Sequence, residues 1–234
     1  MKLNFERLPL ICIGLCISAL SGCVSWFYTP GMSELKRLCW VDGGDKIYQV
    51  VHTAGYFDVN GRCGSTCLEG LMRSDYQYIE YEETEKRFYH NSAMKEPGIW
   101  HIYKSTRDDP LCRPHLEKEF ADFVNPFFKE FFSNQCLAAR KLERPESRYW
   151  YRHGTTSRFL DKDEEVLFHT LQESIEDSAN QQVLATRTYY RLVPHRKSAL
   201  DYALTYDCED AGIDIKIVQF PQDTLLPEKQ GDKK

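Results

Sequence analysis

A short apolar run near the N terminus constrains this chain most, because it decides in which compartment the rest must fold. The run extends from Leu8 to Leu20 and follows the basic residues Lys2 and Arg7, with Glu6 between them. At ~13 residues it suits the apolar region of a secretory signal and is too short for a membrane-spanning helix, which needs ~20. We therefore predict that residues 1–22 are a signal peptide and that the remainder is exported.

The signal ends in Leu20-Ser21-Gly22-Cys23, an aliphatic residue and two small residues before a cysteine. This order resembles the lipobox of bacterial lipoprotein precursors. The resemblance implies that Cys23 is the lipid attachment site: its sulfur carries diacylglycerol, the signal is removed, and the new amine takes a further acyl chain such as palmitate. Val24, where enterobacterial retention signals have Asp, implies the outer membrane, facing the periplasm. Membrane lipid is then the first expected partner, and an envelope protein is a candidate second.

Cysteine usage agrees with export. The chain has nine cysteines, of which Cys12 and Cys16 leave with the signal and Cys23 is consumed by lipid. Six cysteines remain: Cys39, Cys63, Cys67, Cys112, Cys136 and Cys208. An even number of cysteines in an exported chain predicts disulfides, although the sequence does not determine which cysteines pair.

Composition and length limit the classes of protein to which the mature chain can belong. The formal net charge of −5 argues against a nucleic-acid partner, which requires a basic patch. We predict a lipidated tether over 23–32, where Pro30-Gly31 interrupts structure, a single α+β periplasmic domain over 33–220, and a flexible polar tail over 221–234.

Apolar spacing gives a coarse map of the domain. It predicts helices at 33–38, at 47–51, from Cys67 and from Pro114, with the last one interrupted at Pro126. It predicts a loop over 55–66. Alternating or β-branched segments predict strands at 76–83, 98–105, 148–153, 166–175, 183–193 and 213–220. The fold class is therefore α+β: an antiparallel sheet with a C-terminal strand meander, packed by a few helices and stapled by disulfides.

The body of the chain also resembles uncharacterised proteobacterial lipoproteins. The residues that carry this resemblance are Gly55-Tyr56-Phe57-Asp58, Tyr78-Ile79-Glu80, Pro145-Glu146-Ser147-Arg148-Tyr149 and Val183-Leu184-Ala185 after Ile175-Glu176-Asp177. The resemblance implies no activity.

Two constellations suggest chemistry besides binding. Cys63 and Cys67, in a C-x3-C spacing before a predicted helix, are similar to the thiols of copper chaperones in the thioredoxin superfamily, and Cu(I) suits soft thiolates. Structural disulfides explain the same residues. Paired carboxylates could serve a cell-wall hydrolase; the candidates are Glu80, Glu82, Glu83, Glu164 and Glu165. Solvated strand faces explain these residues equally.

Aromatic residues offer two further binding hypotheses. A Phe-rich helix that includes Phe123 and Phe127 could line a lipid or ligand pocket, although its spacing is what a core helix needs. Tyr76, Tyr78 and Tyr81 could form a binding face, although half-buried strands use tyrosine routinely.

No metal, cofactor or catalytic motif stands out in the sequence. The sequence therefore favours a lipid-anchored envelope protein with a structural or binding role rather than an enzyme. The alternatives are a thiol-redox or copper-handling protein that uses Cys63 and Cys67, and a cell-wall hydrolase.

Overall fold

A computed structural model describes residues 30–59, 65–84, 94, 96–121, 125–160, 166–194, 205–213 and 221–228. The predicted signal peptide, Cys23, most of the tether, Cys63 and almost all of the strand predicted at 213–220 lie outside these residues. Among the described residues, no helix combines the length and apolar character needed to cross a membrane.

Four helices occur in the described part of the chain: α1 (Met32–Asp42), α2 (Ser65–Arg73), α3 (Pro114–Ala121) and α4 (Pro126–Asn134). The predicted interruption at Pro126 is confirmed, since α4 starts there. Asn125 caps this helix through its side-chain oxygen, which accepts a hydrogen bond from the amide of Phe127 at 3.0 Å. A proline in the first turn has no amide to leave unpaired.

Ten strands are described, and eight of them form one large sheet. Its order is β1-β9-β8-β7-β3-β4-β5-β6, while β10 and β2 form a separate parallel pair. Within the large sheet, β3 runs parallel to β4 and β7, whereas β1–β9, β4–β5 and β5–β6 are antiparallel. The strands are β1 (Gly44–Ile47), β2 (Val51–Thr53), β3 (Gly55–Asp58), β4 (Tyr78–Glu83), β5 (Gly98–Thr106), β6 (Gln135–Leu142), β7 (Tyr149–Phe159), β8 (Val166–Asp177), β9 (Gln182–Pro194) and β10 (Leu225–Pro227).

The predicted fold class is confirmed, since helices accompany a mostly antiparallel sheet. The neighbouring strands β7, β8 and β9 form the predicted C-terminal meander. The strands predicted at 76–83 and 98–105 correspond to β4 and β5, which pair antiparallel with Glu80 opposite His101.

Two local predictions are wrong. The helix predicted at 47–51 is replaced by β1 and β2, which are separated by a bend. The loop predicted over 55–66 holds β3 at its start, and all four residues of β3 are buried. A strand that is covered on both faces does not alternate between apolar and polar residues, so the periodicity that reveals half-buried strands is missing.

Part of the segment predicted as a flexible tail is packed against the rest of the chain. Leu225–Pro227 pairs with Val51–Thr53 as β10, and Leu225 is fully buried. The hydroxyl of Tyr76 donates a hydrogen bond to the carbonyl oxygen of Leu225. The tail prediction is thus corrected for residues 221–228, because burial of an apolar side chain and a parallel strand pair hold them.

The chain divides into two compact units, whereas its length predicts one domain over 33–220. Unit 1 comprises residues 1–43, 156–170 and 189–215, and unit 2 comprises 44–155, 171–188 and 216–234. Each unit has its own apolar cluster. That of unit 1 includes Leu35, Cys39, Val166, Phe168, Leu192 and Cys208. That of unit 2 includes Leu68, Leu71, Tyr76, Ile79, Tyr81, Ile102 and Leu137.

Disulfides staple both units, as expected for an exported chain. Cys39 is bonded to Cys208 in unit 1, across 169 residues of sequence. Cys112 is bonded to Cys136 in unit 2, across 24 residues. Cys67 is also disulfide-bonded. The first bridge ties α1 to a segment close to the C terminus, a connection that local sequence patterns do not reveal.

Candidate functional site: a carboxylate–imidazole pair on the sheet

Three neighbouring strands place polar side chains on one face of the sheet in unit 2. Glu80 on β4 lies opposite His101 on β5, and His101 lies opposite Arg140 on β6. Tyr78 and Tyr103 form the adjacent opposed pair. Because residues two apart in a strand share a face, all five side chains belong to the same face. The register thus assembles a site from residues that are far apart in the chain.

Glu80 is the centre of this site. Its side chain is 0% exposed, and its Oε1 lies 2.9 Å from Nδ1 of His101. Its other oxygen, Oε2, accepts hydrogen bonds from the amides of Glu146 at 3.0 Å and Ser147 at 2.9 Å. Burial raises the pKa of Glu80, but the hydrogen bonds from His101, Ser147 and Glu146 outweigh it, so the pKa lies below its ordinary 4.5. Glu80 is therefore a buried carboxylate held in its ionised form.

The ionised carboxylate fixes the state of the His101 ring. Since an ionised Glu80 only accepts hydrogen bonds, Nδ1 of His101 carries a proton and donates it. The ring is stacked on Tyr78 with 4.3 Å between centroids, and Tyr103 lies at 5.7 Å. No described residue forms a hydrogen bond with the other ring nitrogen, Nε2. The arrangement has the donor–acceptor order that orients a histidine as a general base.

Glu146 brings a second carboxylate to the site from the β6–β7 connection. One ligand atom each from Glu80, His101 and Glu146 lies within 4.8 Å of the other two. However, the guanidinium of Arg140 forks onto both oxygens of Glu146, with Nη1 at 3.1 Å from Oε1. This hydrogen-bonded pair lowers the pKa of Glu146. Arg140 thus already pairs with Glu146, while Glu80 is held by His101 and two backbone amides, so each carboxylate of the cluster has protein donors.

A second polar network is buried in unit 2. Arg187 forks onto Asp45 at 2.7 and 3.0 Å, and its other terminal nitrogen lies 3.2 Å from Glu173. Glu173 also accepts a hydrogen bond from the hydroxyl of Tyr151 at 2.7 Å. Each carboxylate in this network has a cationic or hydroxyl partner, which is the requirement for burying charge without a large penalty. We interpret the network as structural.

The structure separates the residues that the sequence offered as chemical candidates. Cys67 lies in α2 with its side chain partly buried and its sulfur in a disulfide, while Cys63 lies outside the described residues. The other cysteines described here, which are Cys39, Cys112, Cys136 and Cys208, form the two bridges given above.

Of the three acidic candidates that the structure describes, Glu80 is the one that joins the site. Glu82 is exposed and Glu83 is buried on the same strand. Glu164 and Glu165 lie outside the described residues.

The aromatic hypotheses meet different outcomes. Tyr76 and Tyr81 are core residues, so they do not form an exposed face, whereas Tyr78 lies against His101. Phe127 is packed beside the core of unit 2, as a core helix requires, and Phe123 lies outside the described residues.

His101 is the site residue that sequence reasoning missed. It stands 21 positions from Glu80, and nothing local marks either residue as functional. The pairing of segments 76–83 and 98–105 was the available signal, since that pair in its correct register brings the two residues opposite each other. Comparison with protein-family models, curated proteins and solved structures finds no match to this chain.

Proposed function

We propose that the mature protein begins at Cys23, is anchored in a bacterial outer membrane by acyl chains on that cysteine, and presents to the periplasm a disulfide-stapled domain with a structural or binding role. The observation that carries this proposal is the sequence Leu20-Ser21-Gly22-Cys23, placed directly after a basic start and an apolar run. Two or three acyl chains, at ~0.8 kcal/mol per buried methylene, make release from the membrane very slow.

A binding role is supported by the chemistry of the site. Both carboxylate oxygens of Glu80 accept hydrogen bonds from the protein: one from the His101 ring and the other from two backbone amides. A carboxylate used in this way organises the loop that carries Glu146 and Ser147, rather than exchanging protons with a substrate. The partly exposed rings of Tyr78 and Tyr103, together with the exposed ion pair of Arg140 and Glu146, offer apolar and polar contacts to an envelope partner.

A thiol-redox or copper function has less support. It would use Cys67 as a thiolate, and the sulfur of Cys67 is in a disulfide. A disulfide at this position serves to fix the start of α2 in an exported protein.

Mass spectrometry of the N-terminal peptide tests the anchor. In protein purified from its native membrane, we expect this peptide to start at Cys23 and to carry a diacylglycerol group and an amide-linked acyl chain. Cys23→Ser should abolish both the lipid mass and the cleavage. Cys16→Ser makes the same chemical change inside the apolar run and should leave both intact. An unmodified Cys23 in membrane-derived protein would end the proposal.

A hydrolase is the second candidate, because Glu80 orients His101 while Nε2 has no hydrogen-bond partner among the described residues. In this role His101 would take a proton from an attacking water molecule. Purified protein should then release soluble fragments from isolated peptidoglycan, and His101→Gln should remove that activity. His52→Gln, at an exposed histidine on β2, is the matched control. No release by the wild-type protein would dismiss this candidate.

A further inference from the structure

Helix α1 of unit 1 carries a face of apolar and basic residues that are exposed in the described part of the chain. In α1, Leu35 and Cys39 are buried in the cluster of unit 1. The opposite side presents Trp40, which is 77% exposed, and Val41, which is 65% exposed. Lys36 and Arg37 lie one turn earlier and are also exposed. We call these four residues the α1 outer face.

The outward position of Trp40 is built into unit 1. The neighbouring residue Cys39 is covalently bonded to Cys208, and Leu35, one turn before it, is 0% exposed. Rotation of α1 that buried Trp40 would withdraw Leu35 from the core and would strain the disulfide. The indole ring therefore stays at the surface of the folded unit unless another body covers it.

Charge around this face is positive, although the chain as a whole is acidic. Three cationic residues, Lys36, Arg37 and Arg158, outnumber the two carboxylates of α1, Glu34 and Asp42. Glu34 lies 2.7 Å from Arg37 and 3.8 Å from Arg158. The whole chain carries a formal charge of −5. A local cationic surface with an exposed indole is the combination found on helices that lie in the headgroup zone of anionic membranes.

Chain length keeps this face close to the proposed anchor. Residues 24–30 are all that separate Cys23 from Gly31, the residue before α1. Even fully extended, the eight Cα–Cα steps from Cys23 to Gly31 reach ~28 Å at ~3.5 Å per step, which is less than the thickness of a bilayer with its headgroups. The start of α1 can therefore not move far from the surface in which the acyl chains are buried.

We infer that the α1 outer face lies on the membrane that holds Cys23, with Trp40 and Val41 in the headgroup zone and Lys36 and Arg37 against anionic lipid. This inference rests on the proposed lipid anchor. It adds that unit 1 has a fixed side toward the bilayer and does not rotate freely on its tether.

Quenching of tryptophan fluorescence by brominated lipid tests the inference. The acylated protein is reconstituted into vesicles of phosphatidylethanolamine and phosphatidylglycerol whose lipids carry bromine either close to the headgroup or at the far end of the acyl chain. The chain has four tryptophans, so the signal of Trp40 is obtained as the difference between wild type and Trp40→Phe. Trp150→Phe, at a partly buried residue of β7, is the matched control.

We expect lipids brominated near the headgroup to reduce the Trp40 signal about twofold or more, and the deep bromines to do so less, because interfacial helices sit ~5–10 Å into the headgroup boundary. Lys36→Gln combined with Arg37→Gln should weaken this quenching, and the wild type should show the same weakening in vesicles of phosphatidylethanolamine alone. The signal of Trp150 should not respond to either bromine position.

Failure of the inference is distinguishable from failure of the anchor. If the same sample shows acylated Cys23 by mass and an unquenched Trp40, the anchor stands and the docking inference is overturned. If Trp40 is shielded from aqueous iodide without being quenched by lipid, protein covers the face, and the inference is again overturned. If Cys23 is not acylated, the anchor and the docking inference fall together.

Discussion

Replacement of Glu80 tests whether the buried carboxylate organises the candidate site. Glu80→Ala removes the acceptor of two backbone amides and of the His101 ring, and leaves these donors in a site that is closed to water at the carboxylate. An unsatisfied buried donor costs ~1–3 kcal/mol. With two amides stranded and partial relaxation of the loop, we expect the free energy of unfolding to fall by ~3–5 kcal/mol.

Glu80→Gln separates the charge from the hydrogen bonds. The carbonyl oxygen of glutamine can still accept from both amides, and its amide group can donate to Nδ1 once His101 moves its proton to Nε2. What is lost is the charge assistance, which roughly doubles the strength of such bonds, so we expect a loss of ~1–2 kcal/mol.

The difference in stability between the wild type and Glu80→Gln depends on pH in a definite direction. The pKa of Glu80 is lowered in the folded protein, so folding favours the ionised form. The stabilisation is then fully present above the pKa of the unfolded chain, ordinarily near 4.5, and is lost as the pH falls through the lower folded value. The advantage of wild type over Glu80→Gln should therefore vanish in acid.

Urea unfolding with the disulfides intact provides the measurement, repeated at neutral and acidic pH. Glu82→Ala, at an exposed carboxylate on the same strand, is the control and should change the free energy of unfolding by no more than ~0.5 kcal/mol. If Glu80→Ala costs as little as this control, the carboxylate does not hold the loop, and the reasoning fails.

Two further variants test the two units separately. The double variant Cys39→Ser, Cys208→Ser opens a loop of 169 residues. The loss of loop-closure entropy predicts that the free energy of unfolding of unit 1 falls by ~5 kcal/mol. Hydrogen exchange of the amides in α1 measures this loss, and unchanged exchange would contradict the prediction. Arg187→Met removes the cationic partner of Asp45 and Glu173, whose side chains are 5% and 13% exposed, and should cost ~3–5 kcal/mol in thermal unfolding. A loss under ~1 kcal/mol would show that the two carboxylates do not depend on Arg187.

Sequence reasoning succeeded where one local signal sufficed. Pro126 predicts the break between α3 and α4, because proline interrupts a helix and then suits the first turn of the next one. The strands predicted at 166–175 and 183–193 correspond to β8 and β9, and the turn-forming residues Asp177-Ser178-Ala179-Asn180 lie where the first ends and before the second begins. These features depend on the chemistry of a few adjacent residues.

Prediction failed where packing overrides a local pattern. Ile47, Val50 and Val51 have a helix-like spacing, yet Ile47 pairs with Ala185 of β9 and Val51 pairs with Leu225 of β10. Both partners are more than 130 residues away in the chain. A pattern of three residues carries no information about such partners, so a tertiary contact decided the conformation.

The candidate site could not be predicted from the sequence for the same reason. Glu80 was one of several acidic residues, and His101 was one of seven histidines. Their relation depends on the register of β4 and β5, where a shift of one residue would turn His101 to the other face of the sheet. Knowledge of which strands pair was therefore insufficient without knowledge of how they align.

Gly55 shows that the site is also determined by a residue without a side chain. It lies opposite Tyr78 in the parallel β3–β4 pair, and a Cβ atom at this position would come within 2.7 Å of Cδ2 in the Tyr78 ring. Since that ring is stacked on His101, whose Nδ1 is bound to Glu80, a side chain at position 55 would push on the whole stack. The glycine that reads as a loop signal in the sequence is thus required for close packing inside the sheet, where it makes room for the tyrosine that supports the histidine.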